Sequence, residues 1–302
     1  MVISMKHVRV FMIACCFVAS LFPAASFAAL EPKRTSEEDV ESQVQAQAYV
    51  VMDYASGKIL TMKQENLSWP IASLTKLMTA NVLFDELPNL KSKQSIVSED
   101  DVGGAKLIVR NGDKLTIQDL FYAMFLGSAN NATNALSRTS RLSKEDFVAK
   151  MNKKAKTLAL ENTAFVDPTG IDPQNTSTVL DMAKIAKTAF RQPLIRKWTT
   201  TPKKTIAVLT SGKTKEIKNT NWMLTRPEYK AIFVTAGKTG YLEESNWNFV
   251  TTLRPTNTKQ KELLIVVFGS PSRAQSFQDT KMLANWAWKS YAWKKEVKTV
   301  SR

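Results

Sequence analysis

Strand-like sequence lies at both ends of this chain and helix-like sequence fills its middle, and that order constrains the fold more than any other feature. Near the start, 46–53 and 59–63 read as two strands, with Ala55-Ser56-Gly57-Lys58 as the hairpin turn between them. In 73–84, Leu74, Leu77, Met78, Val82 and Leu83 form a helical stripe. A second helix is expected over 116–126, with Thr116 as its cap and Asp119 in its first turn. Two more fall at 144–158 and 177–190, and Val166 to Gly170 reads as a turn between them. Strands return at 206–209, 231–236, 246–254 and 263–268, with Pro255-Thr256-Asn257-Thr258 turning between the last two. A tryptophan-rich helix over 279–293 closes the pattern, and no internal repeat is present. The outer pieces therefore predict one sheet unit and the middle an inserted helical unit, an α+β fold with a cleft where element ends gather.

The N-terminus has the pattern of a secretory signal peptide over residues 1–28. Lys6, His7 and Arg9 are followed by an apolar run over 10–22, and Ser26 and Ala28 suit a cut after Ala28. The competing reading is an uncleaved anchor, but the run is short against the ~20 residues that a membrane span needs. Export across the inner membrane, to the periplasm or the cell wall, is the expectation. Residues 29–44 are polar and without period and read as a flexible leader. A basic tail occupies 294–302.

Cleavage at that point would remove both cysteines and the only histidine. The remaining chain then has no disulfide, no Ser-His-Asp triad, no Cys-His pair and no His- or Cys-ligated zinc. No metal or cofactor is expected. Removing Lys6 and Arg9 lowers the formal charge from +15 to +13. Export argues against a nucleic-acid partner and favours a polyanionic wall or membrane surface, with solubility alone as the plain alternative.

Without His or Cys, a nucleophilic site must activate Ser or Thr by other means, and lysine is the usual choice. Ser73-Leu74-Thr75-Lys76 is the chain's one S-x-x-K. At i and i+3 on a helix, serine and lysine share a face. Pro70 suits a helix start just upstream, which would put Ser73 near the positive end of the dipole. Alone, such a pair is more often an ordinary solvated helix face. Ser128-Ala129-Asn130 at a helix–loop junction and Lys238-Thr239-Gly240 beside a strand add the S-x-N and K-T-G partners in the same order as in β-lactamases and penicillin-binding proteins.

With these triplets, the chain resembles the low-molecular-mass penicillin-binding proteins of the D-alanyl-D-alanine carboxypeptidase/endopeptidase family. The likeness extends to AYVVMDYASGKIL, IASLTKLMTA, GDKLTIQDLFYAMFLGSANNATNAL, TAFVDPTGIDP, KNTNWML and AGKTGY, over roughly 46–293. It implies a β-lactamase/transpeptidase-like fold, an antiparallel sheet flanked by helices with an inserted all-helical subdomain. The peptidase domain would span 45–293, with the sheet part at 45–77 and 200–293 and the insert at 78–199. It implies Ser73 as nucleophile, Lys76 as base, and Ser128 relaying the proton to the leaving amine. Asn130 would hold the substrate amide, Lys238 would lower the pKa of Lys76, and Thr239 would bind the substrate carboxylate or backbone, with Gly240 beside it. The oxyanion would lie at the backbone N–H groups of Ser73 and Tyr241. Peptidoglycan stem peptides are the implied substrates, and β-lactams the implied covalent inhibitors.

Asn131 stands where the family often has an acid, and Tyr241-Leu242-Glu243 replaces a run of small residues after K-T-G. Arg273 reads as a surface arginine, with carboxylate binding as the alternative. Trp286, Trp288, Tyr291 and Trp293 suit packing on the sheet, with peripheral membrane contact as the alternative. The short stretch after them resembles the endopeptidase branch, although short carboxypeptidases share it. A serine β-lactamase is the first competing function. It would need an acid for deacylation in an E-x-x-L-N segment, and Glu161 is followed by Asn-Thr-Ala instead. A non-catalytic wall-peptide-binding scaffold is the second.

Overall fold

The computed structural model describes residues 31–86 and 88–293. The expected signal peptide and basic tail lie outside the described residues. The chain enters through β1 (Lys33–Arg34) and then forms the hairpin of β2 (Ala48–Asp53) and β3 (Ile59–Lys63). The Asp53 carboxylate closes its turn by accepting from the Ser56 amide and hydroxyl. After β4 (Trp69–Pro70), a 3-10 turn over Ala72–Thr75 runs straight into α1 (Lys76–Leu83). The ladder of β5 (Lys93–Ser95) and β6 (Lys114–Thr116) leads into α2 (Ile117–Leu126), where Thr116 Oγ1 accepts from the Asp119 amide as a cap. Next come α3 (Asn130–Ser137), α4 (Lys144–Thr157), β7 (Thr176–Ser177), α5 (Val179–Phe190) and α6 (Pro193–Thr200). A two-stranded ribbon of β8 (Lys203–Ala207) and β9 (Thr214–Lys218) precedes β10 (Ile232–Leu242), β11 (Asn246–Pro255) and β12 (Leu263–Ser270). The long helix α7 (Arg273–Ser290) and β13 (Tyr291–Ala292) end the described chain.

The main sheet has the order β10-β11-β12-β2-β3 and is antiparallel throughout. The first hairpin therefore joins the last strand, with Val50 opposite Val266 and Val51 opposite Ile265. Strand β12 is buried along its whole length, because helices cover both faces of the sheet. On one face Ala48, Val50, Val266 and Phe268 pack with the middle helices, and on the other Tyr49, Val51, Ile265 and Val267 pack with Phe277, Leu283 and Ala287 of α7. Fully buried Trp198 of α6 locks the helical part, its ring stacked on Phe121 at 4.5 Å. Strand β10 is left at the sheet edge, facing the turn that carries Ser73.

The expected α+β layering holds, with four local differences. Residues 31–44 are not a free leader: β1 pairs with β13, and Val40 and Val44 are buried in the core beside α7. Two isolated valines in a charged stretch have no periodicity to announce this docking. Pro70 lies in the β4–β7 bridge rather than in the first turn of a helix. Helices α3 and α6 and strand β9 have no counterpart in the sequence pattern, and α7 starts six residues before the expected 279 because Ser272 caps it. The inserted part is mainly helical but also carries the β5–β6 ladder. Trp286, Trp288 and Trp293 donate to Glu38 O, Lys261 O and Asp53 Oδ1, so the packing reading of these aromatics is the one the fold displays.

Candidate active site

Ser73 sits in the tight turn ahead of α1, half-buried and facing a cleft of about 420 Å³. Ala72 before it has φ +49°, a left-handed conformation that costs a non-glycine residue strain. Two glycines let the neighbouring backbone close on this turn. A Cβ at Gly170 would stand 1.9 Å from the Ala72 carbonyl oxygen, and one at Gly240 would stand 3.0 Å from that of Ile71. The Val166–Gly170 loop and strand β10 therefore clamp the serine turn from two sides.

Lys76, one helical turn on, is wholly buried. Its Nζ lies 2.8 Å from Ser73 Oγ, 2.7 Å from Asn130 Oδ1 and 2.6 Å from the Thr169 carbonyl oxygen. Burial lowers its pKa from 10.5 to about 7, against an opposing pull from the Asp167 carboxylate. A neutral amine has two hydrogens and one lone pair. Asn130 Oδ1 and Thr169 O take the two hydrogens, which leaves the lone pair for the Ser73 hydroxyl. Both groups that orient the amine are themselves fixed. Asn130 Nδ2 donates to Gly103 O, and the Asp167 carboxylate accepts from the amides of Thr169, Gly170 and Asp172, the Thr169 hydroxyl and Asn175 Nδ2.

A second serine–lysine pair faces the first. Ser128 lies between α2 and α3 at φ +59°, and its Oγ accepts from Lys238 Nζ at 2.8 Å. Lys238 is buried in the middle of β10 and also donates to Thr239 O. Its pKa is held well below the usual lysine value by burial, then by the charges of Lys76 and Arg273. Thr239 Oγ1 is 2.7 Å from Thr220 Oγ1, and Tyr241 stands half-exposed at the cleft mouth with its ring stacked on Trp247. Ser73, Ser128, Asn130, Thr239, Gly240 and Tyr241 all line the one cleft, and Lys76 and Lys238 lie just beneath it.

Three features go beyond the sequence expectations. Arg273, read as a surface residue, lines the cleft: its Nη2 donates to Thr220 O at 2.6 Å and its guanidinium lies 4.6 Å from the Trp222 ring. No carboxylate among the described residues pairs with it, and its Nε has no partner. Its place at the start of α7 was hidden because the helix was expected to begin later. Asn131 does not face the cleft. It accepts from the Leu107 amide and donates to the Leu107 carbonyl, pinning the loop that covers Asn130. The Thr169 carbonyl, part of the Val166–Gly170 turn, accepts from Lys76, and Asp167 fixes that turn and opposes the lowering of the Lys76 pKa; the Asp-Pro-Thr-Gly spacing was the available signal. Among the described residues, no group of three or more His, Cys, Asp or Glu is placed to hold a metal ion.

Solved structures give the class to which this fold belongs. The DD-transpeptidase of Streptomyces K15 superposes with a TM-score of 0.75 at 25% identity, over 84% of this chain and 100% of that one. Penicillin-binding protein D2 of Listeria monocytogenes, in an ampicillin-bound form, gives 0.71 at 25% identity over 83% and 100%. The chain therefore has the penicillin-binding, DD-transpeptidase fold. The family described as D-alanyl-D-alanine carboxypeptidase, peptidase S11, matches residues 33–272, and the chain belongs to that family. A D-alanyl-D-alanine endopeptidase of Pseudomonas aeruginosa is 33% identical over 61% of this chain and 60% of its own length. A D-alanyl-D-alanine carboxypeptidase of Bacillus subtilis is 35% identical over 60% and 47%, and an endopeptidase of Escherichia coli 30% identical over 70% and 70%. The chain thus spans about half to three-fifths of the first two of these relatives.

Proposed function

We propose that this protein is a serine-type D-alanyl-D-alanine carboxypeptidase or DD-endopeptidase that cuts peptidoglycan stem peptides through an acyl-enzyme on Ser73. One observation carries the proposal: a wholly buried lysine amine with a pKa near neutrality, both of its hydrogens engaged, lies 2.8 Å from a serine hydroxyl at the floor of a cleft. Ser73 Oγ attacks the carbonyl of the D-Ala-D-Ala bond, or of a related D-centre crosslink, as its proton passes to Lys76. The oxyanion is stabilised by the backbone N–H groups of Ser73 and Tyr241, each donor worth about 3 kcal/mol. Ser128, held by Lys238, passes a proton to the departing amine, and the carbon–nitrogen bond breaks. Asn130 orients both Lys76 and the substrate amide. Thr239 and Arg273 bind the carboxylate on the leaving side, Arg273 being the half-buried cation without an acidic partner. Water then attacks the ester and frees Ser73. No helix among the described residues is long and apolar enough to cross a membrane, and we place the exported protein at the periplasmic or wall substrate.

A fluorescent penicillin tests this reading. The wild type should form a stable covalent adduct, and Ser73→Ala should form none. Mass spectrometry of digested muropeptides then separates the two bonds. Loss of a single D-Ala identifies the carboxypeptidase, and conversion of crosslinked dimers to monomers the endopeptidase. Rapid turnover of the penicillin without adduct would instead favour the β-lactamase alternative.

A further inference from the structure

The β8–β9 ribbon carries Lys203, Lys204, Lys213, Lys215 and Lys218 against a single acid, Glu216. Its inner face is apolar, with Ile206 and Ile217 buried against the helical core. Its outer positions are exposed. Lys203 stands directly opposite Lys218 in the ladder. Like charges at directly opposed positions destabilise a strand pair, and the ribbon has no structural need for them, since packing of the two isoleucines fixes its seat. Glu216 offsets one charge, at 3.6 Å from Lys203. Lys204 lies over the Tyr122 ring. Lys215 stands opposite Ile206 on the inner side, half-buried and near Asp113, whereas Lys213 at the turn and Lys218 are exposed and form no ion pair among the described residues.

The ribbon also borders the cleft. A Cβ at Gly127, which lines the cleft, would stand 3.1 Å from Ile217 Cγ2. Thr220, another cleft residue, follows Lys218 by two positions, within about 7 Å along an extended chain. Exposed Lys203, Lys213 and Lys218 thus outnumber Glu216 along the ribbon, and the Lys203–Lys218 end lies near the lip of the site, where both Arg273 and Glu243 line the cleft. A net excess of one charge beside a cleft concentrates a ligand of opposite charge.

We propose that the β8–β9 ribbon is a docking surface for the carboxylate-bearing peptidoglycan polymer, holding the insoluble wall while single stem peptides enter the cleft. This deepens the peptidase reading and rests on it for the identity of the polymer. A wall strand presents repeated stem carboxylates, so several lysines spaced along a ribbon fit it better than they fit one small ligand. Contacts of this kind fade once ionic strength shortens the screening length to about 8 Å or less.

The test is cosedimentation of the full chain with purified sacculi, in a Ser73→Ala background so that no bond is cut. The triple variant Lys203→Ser, Lys213→Ser, Lys218→Ser should bind roughly tenfold more weakly at low ionic strength and equal the parent at high salt. The corresponding triple arginine variant should bind like the parent. Amidation of the sacculus carboxylates should bring the parent down to the level of the serine variant. Removal of phosphodiester polymers from the wall with hydrofluoric acid should change nothing. Equal sedimentation of the parent and the serine variant at low salt overturns the proposal, as does loss of binding after the acid treatment, which would assign the ribbon to a phosphate polymer. In the Ser73 form, the serine variant should keep its rate of penicillin acylation and melt no lower than the wild type, showing that the ribbon still folds. Penicillin labelling without lysine-dependent sedimentation sinks the docking surface and spares the peptidase. Lysine-dependent sedimentation without labelling does the reverse.

Discussion

The rate of acylation should follow the titration of Lys76. Its amine works only when neutral, and burial brings its pKa from 10.5 to about 7. Acylation of Ser73 by a fluorescent penicillin should therefore rise with pH through about 7 and level off above it. Two units below that pKa about one amine in a hundred is neutral, so the second-order rate constant at pH 5 should be roughly a hundredfold below the plateau. An ordinary lysine would keep the rate climbing until pH 10. The same shift predicts a stability change that needs no catalysis. The folded pKa lies below the unfolded one, so between pH 7 and 10.5 the unfolded chain holds the extra proton and stability increases as pH rises. Below pH 7 the cost of charging this buried group is fully present, on the order of 5 kcal/mol. The melting temperature of the wild type should therefore climb from pH 7 to 9 more steeply than that of Lys76→Met, which has nothing to titrate there. Stopped-flow acylation and calorimetry measure the two quantities. A rate that is flat from pH 5 to 9, or still rising past pH 9, would refute the neutral-amine argument, and parallel melting curves would refute its thermodynamic half.

Gly170→Ala should be strongly damaging, because its Cβ meets the Ala72 carbonyl oxygen and its φ of +81° disfavours any side chain. We expect a loss of about 3 kcal/mol or more in urea unfolding, with acylation falling in step as the serine turn is displaced. Asn131→Asp should destabilise by about 1–3 kcal/mol, since a carboxylate cannot donate to the Leu107 carbonyl and is buried against it. An unchanged urea midpoint would show that this loop clamp is dispensable. Trp198→Ala removes the ring stacked on Phe121 and should cost about 3–5 kcal/mol. Penicillin acylation measured on its remaining folded fraction should be normal, because the ring does not line the cleft.

Much of the site could be read in the chain because its chemistry depends on close sequence relationships. The i, i+3 spacing of Ser73 and Lys76 is a helical contact, and it stands at 2.8 Å in the folded protein. The strands at 48–53, 59–63, 246–255 and 263–270 and the helices at 117–126, 144–157 and 179–190 carry their periodicity in place and fell close to expectation. Missed elements had weaker local marks. Helix α3 begins inside the Ser-Ala-Asn triplet, where polar residues suggest a loop. The charges of the β8–β9 ribbon hid its second strand. Residues 31–44 are polar by composition, and only β13 and the face of α7 give Val40 and Val44 somewhere to be buried.

What the amino-acid order bounded alone was the repertoire. With the first 28 residues set aside no cysteine or histidine remains, which points a nucleophilic site to Ser or Thr, with lysine as the usual activating group. Folding decided the setting of the Lys76 amine, since that setting depends on groups far apart in the chain. Asn130 and Thr169 are 54 and 93 residues from Lys76, and Asp167, which raises its pKa, anchors the loop that carries Thr169. Arg273 likewise became a cleft residue only when α7 brought its first turn against Thr220. Desolvation, long-range charge and the direction of a lone pair are properties of packed space, and no local pattern of residues encodes them.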